Sequence, residues 1–321
     1  MSVSDGRAGT AGMAAGPVIA LPPRRRWRRQ HREWLAAYLF LAPDVLGLLI
    51  FLVVPMVLAL TMGFFRVSGF GDYTFIGLAN YQRLFSDELF LNSVRVTTVY
   101  AVVLVIGVYV VSLGLALLVQ QRLPLIGLLR SLFFLPHIVS LVVVGFVWQF
   151  LLVGRVGVIN KVLAAVGFEG RSWLGDPQFA LGTVLIVTIW FLMGFYMIVF
   201  LAGLQEIPPE YYDAARIDGA SFWEMFRSIT LPLLRPTSFF VILVTMVAAV
   251  AGQQGVDLTV VMTRGGPDRS TSLVTYYVYQ QAFEVGDYGY AAAIASFLVV
   301  FLLGLTAVLF ALTRGGRFEF D

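Results

Sequence analysis

Six apolar runs organise this sequence, and their length restricts what the chain can fold into. They are Tyr38–Phe64, Val96–Val119, Leu132–Val153, Ala180–Leu204, Thr237–Met262 and Gly289–Leu312. A helix of about 20 apolar residues crosses the hydrocarbon core of a bilayer, and backbone groups in lipid must be paired within that helix. The alternating pattern of a membrane β-barrel is absent from these runs. The sequence therefore predicts an all-α polytopic membrane protein with six transmembrane helices.

Basic residues predict which ends of these helices face the cytoplasm. The chain has 321 residues, of which 59% are hydrophobic and 22 are Lys or Arg. The N-terminal tail, the 120–130 and 205–236 segments and the C-terminal segment together hold 14 of these 22, and the other three connecting segments hold eight. Because cytoplasmic loops carry an excess of Lys and Arg, both termini and the 205–236 segment are predicted to be cytoplasmic.

Residues 1–34 form a basic tail that is rich in Gly, Ala and Arg. We predict that it is cytoplasmic and disordered as far as its arginine cluster, RRRWRRQHREW. Beside a membrane span such a cluster anchors the chain on anionic lipid more often than it binds nucleic acid, so membrane lipid is the expected partner. No short apolar segment with a cleavage site precedes the first run, so no removable signal peptide is expected. Residues 35–321 are predicted to form the six-helix domain.

The sequence lacks the motifs of the enzymes that it could most easily be mistaken for. It contains no G-x-x-x-x-G-K-[ST] phosphate loop, and its one lysine is Lys161. Its two histidines, His31 and His137, are far apart, and no H-E-x-x-H or G-x-S-x-G motif occurs. There is no cysteine to form a thiolate metal site. We therefore expect a chain that is not an enzyme and binds neither a metal nor a cofactor.

Residues 205–236 read QEIPPEYYDAARIDGASFWEMFRSITLPLLRP and carry eight charged residues between two apolar runs. Two prolines suit the first turn of a helix, where Glu210 and Asp213 are then favoured by the helix dipole. Gly219 is placed to end this helix in a left-handed conformation. The sequence S-x-x-E from Ser221 to Glu224 is a capping box for a second helix that runs to about Thr230. The pattern predicts two short helices joined at a sharp bend.

Small residues cluster at this bend, namely Ala214, Ala215, Gly219 and Ala220. They would let the backbone of another protein come close, and isolated helices this short are marginal in water without such packing. The spacing D-A-A-x-x-D-G-A-x(8)-I-x-L-P resembles the cytoplasmic EAA loop of binding-protein-dependent ABC importer permeases. The first acid is aspartate where that motif has glutamate. The resemblance implies that the loop docks on an ATPase subunit through Glu210, Asp213, Ala214, Ala215, Asp218, Gly219, Ala220, Ile229 and Pro232.

The resemblance extends over residues 35–321 and implies the type I ABC importer permease fold. FFLPHIVSLVVVGFVWQFL, WLGDPQFAL and VDLTVVMTRGGPDRST are similar to the carbohydrate-uptake subfamily, which includes maltose-type and glycerol-3-phosphate-type permeases. The C-terminal ALTRGGRFEFD is more similar to the first of the two paired permeases. The implied partners are a second, non-identical permease, two ATPase subunits that bind ATP and Mg, and an extracytoplasmic substrate-binding protein. The implied location is a bacterial or archaeal cytoplasmic membrane.

Polar and aromatic residues within the fourth and fifth runs are candidates for a substrate path. Gln253 and Gln254 could bond to sugar hydroxyls, or they could equally hydrogen-bond neighbouring helices. Asp257 follows them, while Trp190 and Gly194 share one face of the fourth run, where an aromatic ring could pack on a sugar. No Arg or Lys lies within a run, which favours a neutral mono-, di- or oligosaccharide over a glycerophosphate substrate.

Two other classes of transporter compete with this interpretation. An ion-coupled secondary transporter is expected to show buried carboxylates in a proton relay, or inverted halves with broken helices, and the sequence suggests neither. An ABC exporter half would have longer helices and usually a fused ATPase. An ATPase that co-purifies with the chain would separate an importer subunit from a secondary transporter.

Overall fold

A computed structural model describes residues 24–68, 71–121, 125–154 and 157–312, which fall into two compact units that divide between Val57 and Leu58. The helices are α1 (Arg24–Leu48), α2 (Val54–Met62), α3 (Ala79–Leu84), α4 (Glu88–Val119), α5 (Ile126–Ile138), α6 (Leu141–Leu152), α7 (Val158–Ala165), α8 (Pro177–Gln205), α9 (Pro209–Ile217), α10 (Phe222–Met225), α11 (Leu231–Leu233), α12 (Arg235–Ala251), α13 (Gln253–Leu258), α14 (Val274–Tyr279) and α15 (Tyr288–Leu312). π-helical turns occupy Leu49–Val53, Phe226–Thr230, Thr259–Thr263 and Gln280–Val285. An antiparallel hairpin pairs β1 (Phe65–Ser68) with β2 (Asp72–Phe75).

The predicted tail lies partly outside the described residues. Its arginine cluster is helical, because α1 begins at Arg24 and continues through the cluster. Residues 1–23 are not described. Within the membrane-length window of Glu33–Met62, no side chain is buried.

Helices that could cross a membrane account for most of the predicted runs. Among the described residues, Glu33–Met62, Glu88–Val119, Pro177–Gln205 and Tyr288–Ala311 are each long and apolar enough to span a bilayer. Two further spans are counted only if strongly bent helix pairs are each taken as one. The pair α5 and α6 is bent by 97°, and Phe222–Leu233 is bent by 67° against α12. The structure thus has four continuous candidate spans and up to six in all.

The third predicted run, Leu132–Val153, is not a single straight helix. Val139 and Ser140 have extended backbone between α5 and α6, with ψ angles of 146° and 128°. Pro136 lacks the N–H that would bond to the carbonyl one turn earlier, which weakens the helix just before this break. A count of apolar residues does not detect such a bend.

The fifth predicted run, Thr237–Met262, is interrupted as well. Gly252 is extended, with φ −72° and ψ 144°, and separates α12 from α13. A Cβ at Gly252 would lie 2.1 Å from the carbonyl oxygen of Ala248, so this backbone path requires glycine. The structure therefore contains broken helices. The sequence analysis expected none, so this feature does not argue against a secondary transporter.

The core forms where α4 packs along α8 and α12. Lipid supplies no hydrophobic force between helices, so close packing and interhelical hydrogen bonds must hold them together. Tyr100 Oη donates to Thr188 Oγ1 at 3.2 Å, and a 3.0 Å hydrogen bond joins the hydroxyls of Tyr109 and Ser238. The fully buried side chains between these helices include Val108, Ala116, Met197 and Phe200.

A group of polar side chains, here called the Asp87 cluster, joins the start of α4 to α14 and α15. Asp87 caps α4 by accepting from the N–H of Leu89 at 2.9 Å, and it accepts from the hydroxyls of Tyr277 and Tyr290 at 2.7 and 2.6 Å. Partial burial would raise its pKa, but the hydrogen bonds from Tyr290, Tyr277 and the backbone outweigh burial and lower it. Asp87 therefore carries a stable negative charge.

The same cluster contains Arg83 and Asp287. The guanidinium of Arg83 lies 3.8 Å from the centre of the Tyr290 ring and forms a 2.8 Å ion pair with Asp287. These contacts add a cation–π interaction and a partly exposed ion pair to the hydrogen bonds of Asp87. The cluster fixes the chain segments that meet at this end of α4.

Candidate functional site

The first helix of the 205–236 segment is bounded as the sequence predicts. Pro208 is the cap residue and Pro209 is the first residue of α9, with Glu210 in the first turn. Gly219 has φ +81°. The N–H of Gly219 bonds to the carbonyl of Arg216 at 3.1 Å, and that of Ala220 bonds to the carbonyl of Ala215 at 2.9 Å. These two bonds are the Schellman arrangement that ends a helix at a left-handed residue.

The second helix begins with the predicted capping box. The N–H of Ser221 donates to Glu224 Oε2 at 2.7 Å, and the N–H of Glu224 donates to Ser221 Oγ at 3.3 Å. Hydrogen bonds to the Glu224 carboxylate from the side chain and the backbone N–H of Ser221 lower its pKa. The helix does not stop near Thr230 as the sequence analysis expects. It continues through the π-helical turn into α11 and ends at Leu233.

A hydrogen bond ties the two halves of the segment together. The hydroxyls of Tyr212 on α9 and Thr230 are 3.0 Å apart. Between the halves and the end of α4 lies a cleft of about 560 Å³, which we call the loop cleft. Its lining includes Gly114, Leu117, Gln121, Asp213, Arg216 and Phe222. The cleft shows that the bend leaves a recess at the end of α4 opposite to the Asp87 cluster.

Large apolar side chains are exposed around the bend. Ile217 is 87% exposed, Phe222 71% and Trp223 64%. The carboxylates of Glu210, Asp213 and Asp218 are also exposed, and Asp213 pairs with Arg216 at 2.8 Å. Large apolar side chains exposed beside charged ones are typical of a surface that another molecule covers. The three predicted acids of this segment are thus exposed, as are the large apolar side chains at the bend.

The smaller residues of the predicted coupling set vary in exposure. Ala214 and Gly219 are exposed, whereas Ala215, Ala220, Ile229 and Pro232 are half-buried. Glycine suits position 219 because the backbone there is left-handed. A Cβ at Gly219 would meet no atom within 4 Å, so the space beside it is open. Ile229 and Pro232 lie within the second helix.

The polar residues predicted for a substrate path lie at the interrupted fifth run. The side chain of Gln253 is outside the described residues, while Gln254 and Asp257 are half-buried on α13. Neither Gln254 nor Asp257 forms a hydrogen bond or ion pair with another described group. The helix α13 packs against α6 and α8. Unpaired polar groups that are half-buried carry a desolvation cost unless water, a ligand or a partner satisfies them.

The aromatic residue Trp190 is half-buried on α8, and its ring meets the ring of Trp148 edge to face with centroids 5.4 Å apart. Trp148 lies on α6, and sequence analysis did not single it out. The one sequence feature that could have indicated it is its position beside Gln149, a polar residue in a mostly apolar run. Because α6 and α8 both contact α13, the Trp pair and Gln254 belong to the same group of packed helices.

Gly194 has a packing role that differs from the predicted one. It is buried where α8 crosses α5, and a Cβ there would lie 2.0 Å from the carbonyl oxygen of Phe133. Glycine at this position lets two backbones touch, as small residues do in helix pairs within membranes. This face of α8 is filled by α5 and leaves no room for a ligand at Gly194.

Asp87 is the other residue that sequence analysis missed. It stands in SDELF, where an aspartate before a helix is a usual capping signal. Its tyrosine partners are far away in the sequence, and no sequence pattern links them to Asp87. Among the described residues, no group of three or more His, Asp or Glu side chains could hold a metal ion.

Comparison with protein families gives one match, to binding-protein-dependent transport system inner membrane components, over residues 111–315. The chain belongs to this family. It is accordingly a multi-pass permease of the inner membrane, a transport subunit and not an enzyme. The matched region contains the whole of the loop cleft and all the residues predicted for coupling and for the substrate path.

Relatives cover nearly the full chain. The trehalose/maltose transport system permease of Thermococcus litoralis is 33% identical over 298 residues, which is 91% of this chain and 97% of the relative. A bacterial ABC transporter for the import of the acidic polysaccharide alginate matches with a TM-score of 0.79 and 26% identity, over 90% of this chain and 98% of that one. A second crystal structure, of the alginate transporter with a periplasmic protein that holds an alginate pentasaccharide, has the same TM-score at 25% identity and covers 90% and 97%. These matches show the type I importer permease fold.

Proposed function

We propose that this chain is one of two permease subunits of an ATP-driven importer that carries a saccharide into the cytoplasm. The observation that carries this proposal is the 205–236 segment, whose two capped helices present exposed acids, small residues and aromatic side chains at a bend. Such a surface fits a protein partner and has no use in a transporter that works alone. The relatives named for trehalose and maltose and for alginate support a saccharide as the substrate.

The partners follow from what one chain supplies. With no phosphate-loop motif, the chain needs separate ATPase subunits to bind ATP and Mg, and we propose that two of them dock at the loop cleft of this permease and of a second, non-identical one. The alginate transporter in complex with a substrate-bound periplasmic protein supports an extracytoplasmic binding protein as a further partner. We place both termini and the 205–236 segment in the cytoplasm, because the basic residues are concentrated there.

Six spans complete this proposal. The bent pair α5–α6 supplies one span and α12 supplies the other, so the predicted 35–321 domain is a six-helix permease with the 205–236 segment as its coupling loop. Docking through Glu210, Asp213, Asp218 and the small residues beside them would transmit closure of the ATPases to α8 and α12. The helices α9 and α10 lie between those two spans in the chain, so a force on the loop acts on both.

The substrate path is proposed at α13, next to the Trp148–Trp190 pair. Gln254 and Asp257 offer polar groups there, and Gln253 precedes them. Because α12 and α13 are separated by the extended Gly252, backbone groups are also freed at this depth. Half-helices that end within the membrane are a frequent way to build a polar site in transporters.

Purification tests the assembly. The tagged chain, expressed with its genomic neighbours and extracted in detergent, should yield two ATPase copies and one second permease by native mass spectrometry. The complex should take up a saccharide into proteoliposomes only with ATP and the binding protein. A transport-competent complex whose membrane part contains only copies of this chain would refute the heterodimer. Uptake of glycerol-3-phosphate in place of saccharides would reject the substrate class while leaving the importer intact.

Replacing each glutamine by leucine tests the substrate path. If the glutamine meets sugar hydroxyls, Gln254→Leu should leave them unpaired at a cost of about 1–3 kcal/mol, which is roughly ten- to a hundredfold in transport. Gln253→Leu is the matched variant, since adjacent residues on a helix point about 100° apart and only one can face the path. Transport is measured across a panel of sugars, with ATPase co-purification as the check on assembly. If both variants transport every sugar normally, the substrate passes elsewhere.

A further inference from the structure

The helix α7 presents an apolar stripe that no part of the described chain covers. Val158, Val162 and Val166 follow one another at intervals of four residues, which places them on one face. They are 48%, 59% and 66% exposed. Phe168, just beyond the helix, is 67% exposed. This face is apolar although α7 lies outside the candidate spans, between α6 and α8.

The opposite face of α7 holds the polar side chain. Asn160 is buried, and its amide group donates to the carbonyls of Gly154 and Arg171. Its Oδ1 accepts from the Arg171 N–H at 3.2 Å and from Trp173 Nε1 at 2.8 Å. These bonds fix the rotation of α7 about its own axis. The helix is thus held with its asparagine inward and its valines outward, the reverse of a helix that faces water.

The surroundings of α7 indicate what covers the valines. Only the five residues 153–157 separate it from α6, so α7 begins within about 20 Å of the end of that apolar helix. The side chains of Val147 and Phe150 on α6, and of Val153 just beyond it, are also exposed, so the chain that leads to α7 carries apolar side chains on its surface. At the other end the chain enters the membrane-length helix α8 at Pro177. Both ends of this segment are thereby held close to the membrane.

We infer that α7 lies along the surface of the bilayer, on the side opposite to the 205–236 segment, with Val158, Val162 and Val166 in the boundary between headgroups and acyl chains. Lys161 is exposed at the edge of the stripe, where its long side chain can place the ammonium among lipid headgroups. Interfacial helices of this kind bury their apolar face about 5–10 Å into this boundary. The lipid contact would hold the 153–176 segment at a fixed height above the spans.

Site-directed spin labelling tests this inference directly, because the chain contains no cysteine. A nitroxide is placed at V162C on the stripe or at A164C, which is also exposed but lies on the far side of the helix. The chain is reconstituted in lipid nanodiscs with its co-purifying subunits. Collisions with oxygen, which concentrates in lipid, and with a water-soluble nickel chelate are then compared.

The label at 162 should collide with oxygen several-fold more often, relative to the chelate, than the label at 164. Its depth should correspond to about 5–10 Å below the phosphates. Equal access of the chelate to both positions would overturn the inference, because the stripe would then face water. Shielding of position 162 from both reagents would also overturn it, because a protein partner would cover the stripe. Neither the collision rate with oxygen nor that with the chelate depends on ATP hydrolysis or on the substrate.

Discussion

The 205–236 segment and the Asp87 cluster lie at opposite ends of α4. They differ in how far apart in the sequence their hydrogen-bonded residues are. In the segment, the capping box joins Ser221 to Glu224 and the helix end joins Ala215 to Ala220, all within five residues. Asp87 instead accepts from Tyr277 and Tyr290, which follow it by 190 and 203 residues. A segment with local bonds can keep its shape while its side chains stay exposed for a partner. The cluster exists only once α4, α14 and α15 are assembled.

The largest effect is expected from Asp87→Ala. It removes the cap of α4 and the acceptor of two tyrosine hydroxyls, which together should lower the free energy of unfolding by about 2–4 kcal/mol. Asp87→Asn retains an acceptor for the cap and should lose less. Thermal unfolding of the purified protein in detergent, followed by tryptophan fluorescence, measures both. An unchanged melting temperature for Asp87→Ala would mean that the cluster does not hold the helices.

The next largest effect is expected from Gly219→Val. A β-branched residue at φ +81° costs about 1–2 kcal/mol, and it straightens or misdirects the bend where the ATPase is proposed to dock. Uptake and substrate-stimulated ATP hydrolysis should fall steeply, while the melting temperature should fall only by the few degrees that this backbone strain accounts for, because no neighbour lies within 4 Å of the added Cβ. Gly219→Asn, which tolerates the left-handed conformation, is the matched control. Normal coupling in Gly219→Val would show that the bend has no part in transmission.

Acid should affect the two regions differently. The pKa of Asp87 is lowered in the folded chain, so its stabilising contribution is complete above its usual value of 3.8 and is lost as the pH falls through the folded value. The difference in melting temperature between wild type and Asp87→Asn should therefore be constant near neutral pH and shrink below about pH 4. The pKa of Glu224 is also lowered, but Glu224→Gln should leave the melting temperature unchanged because this carboxylate is exposed. A pH-independent Asp87 difference would contradict the assignment.

The smallest effect on stability is expected from Asp213→Asn. Its ion pair with Arg216 is about two-thirds exposed on both sides, so its loss should change the free energy of unfolding by less than about 0.5 kcal/mol. Arg216→Gln removes the same pair from the other side. If only Asp213→Asn reduces uptake, the carboxylate contacts the partner, whereas equal losses would assign the effect to the pair. If Asp213→Asn lowered the free energy of unfolding as much as Asp87→Ala does, the proposed difference between the two regions would be wrong.

Much of the 205–236 segment could be predicted from sequence because its geometry is local. The start of α9 at Pro209, the left-handed Gly219 and the capping box of Ser221 and Glu224 are all confirmed. Each depends on residues no more than five positions apart. The extension of the second helix to Leu233 was missed because a π-helical turn has no clear sequence signal.

The sequence by itself determined that the chain is helical and apolar along most of its length, and it determined the shape of its polar bend. Tertiary structure alone decided where the helices break at Val139 and Gly252, and that Gly194 serves a helix crossing. It alone decided that Trp148 meets Trp190 and that Asp87 meets two tyrosines. The physical reason is that apolar runs and caps depend on neighbours along the chain. Close approach of backbones and the pairing of buried polar groups depend on which helices lie side by side.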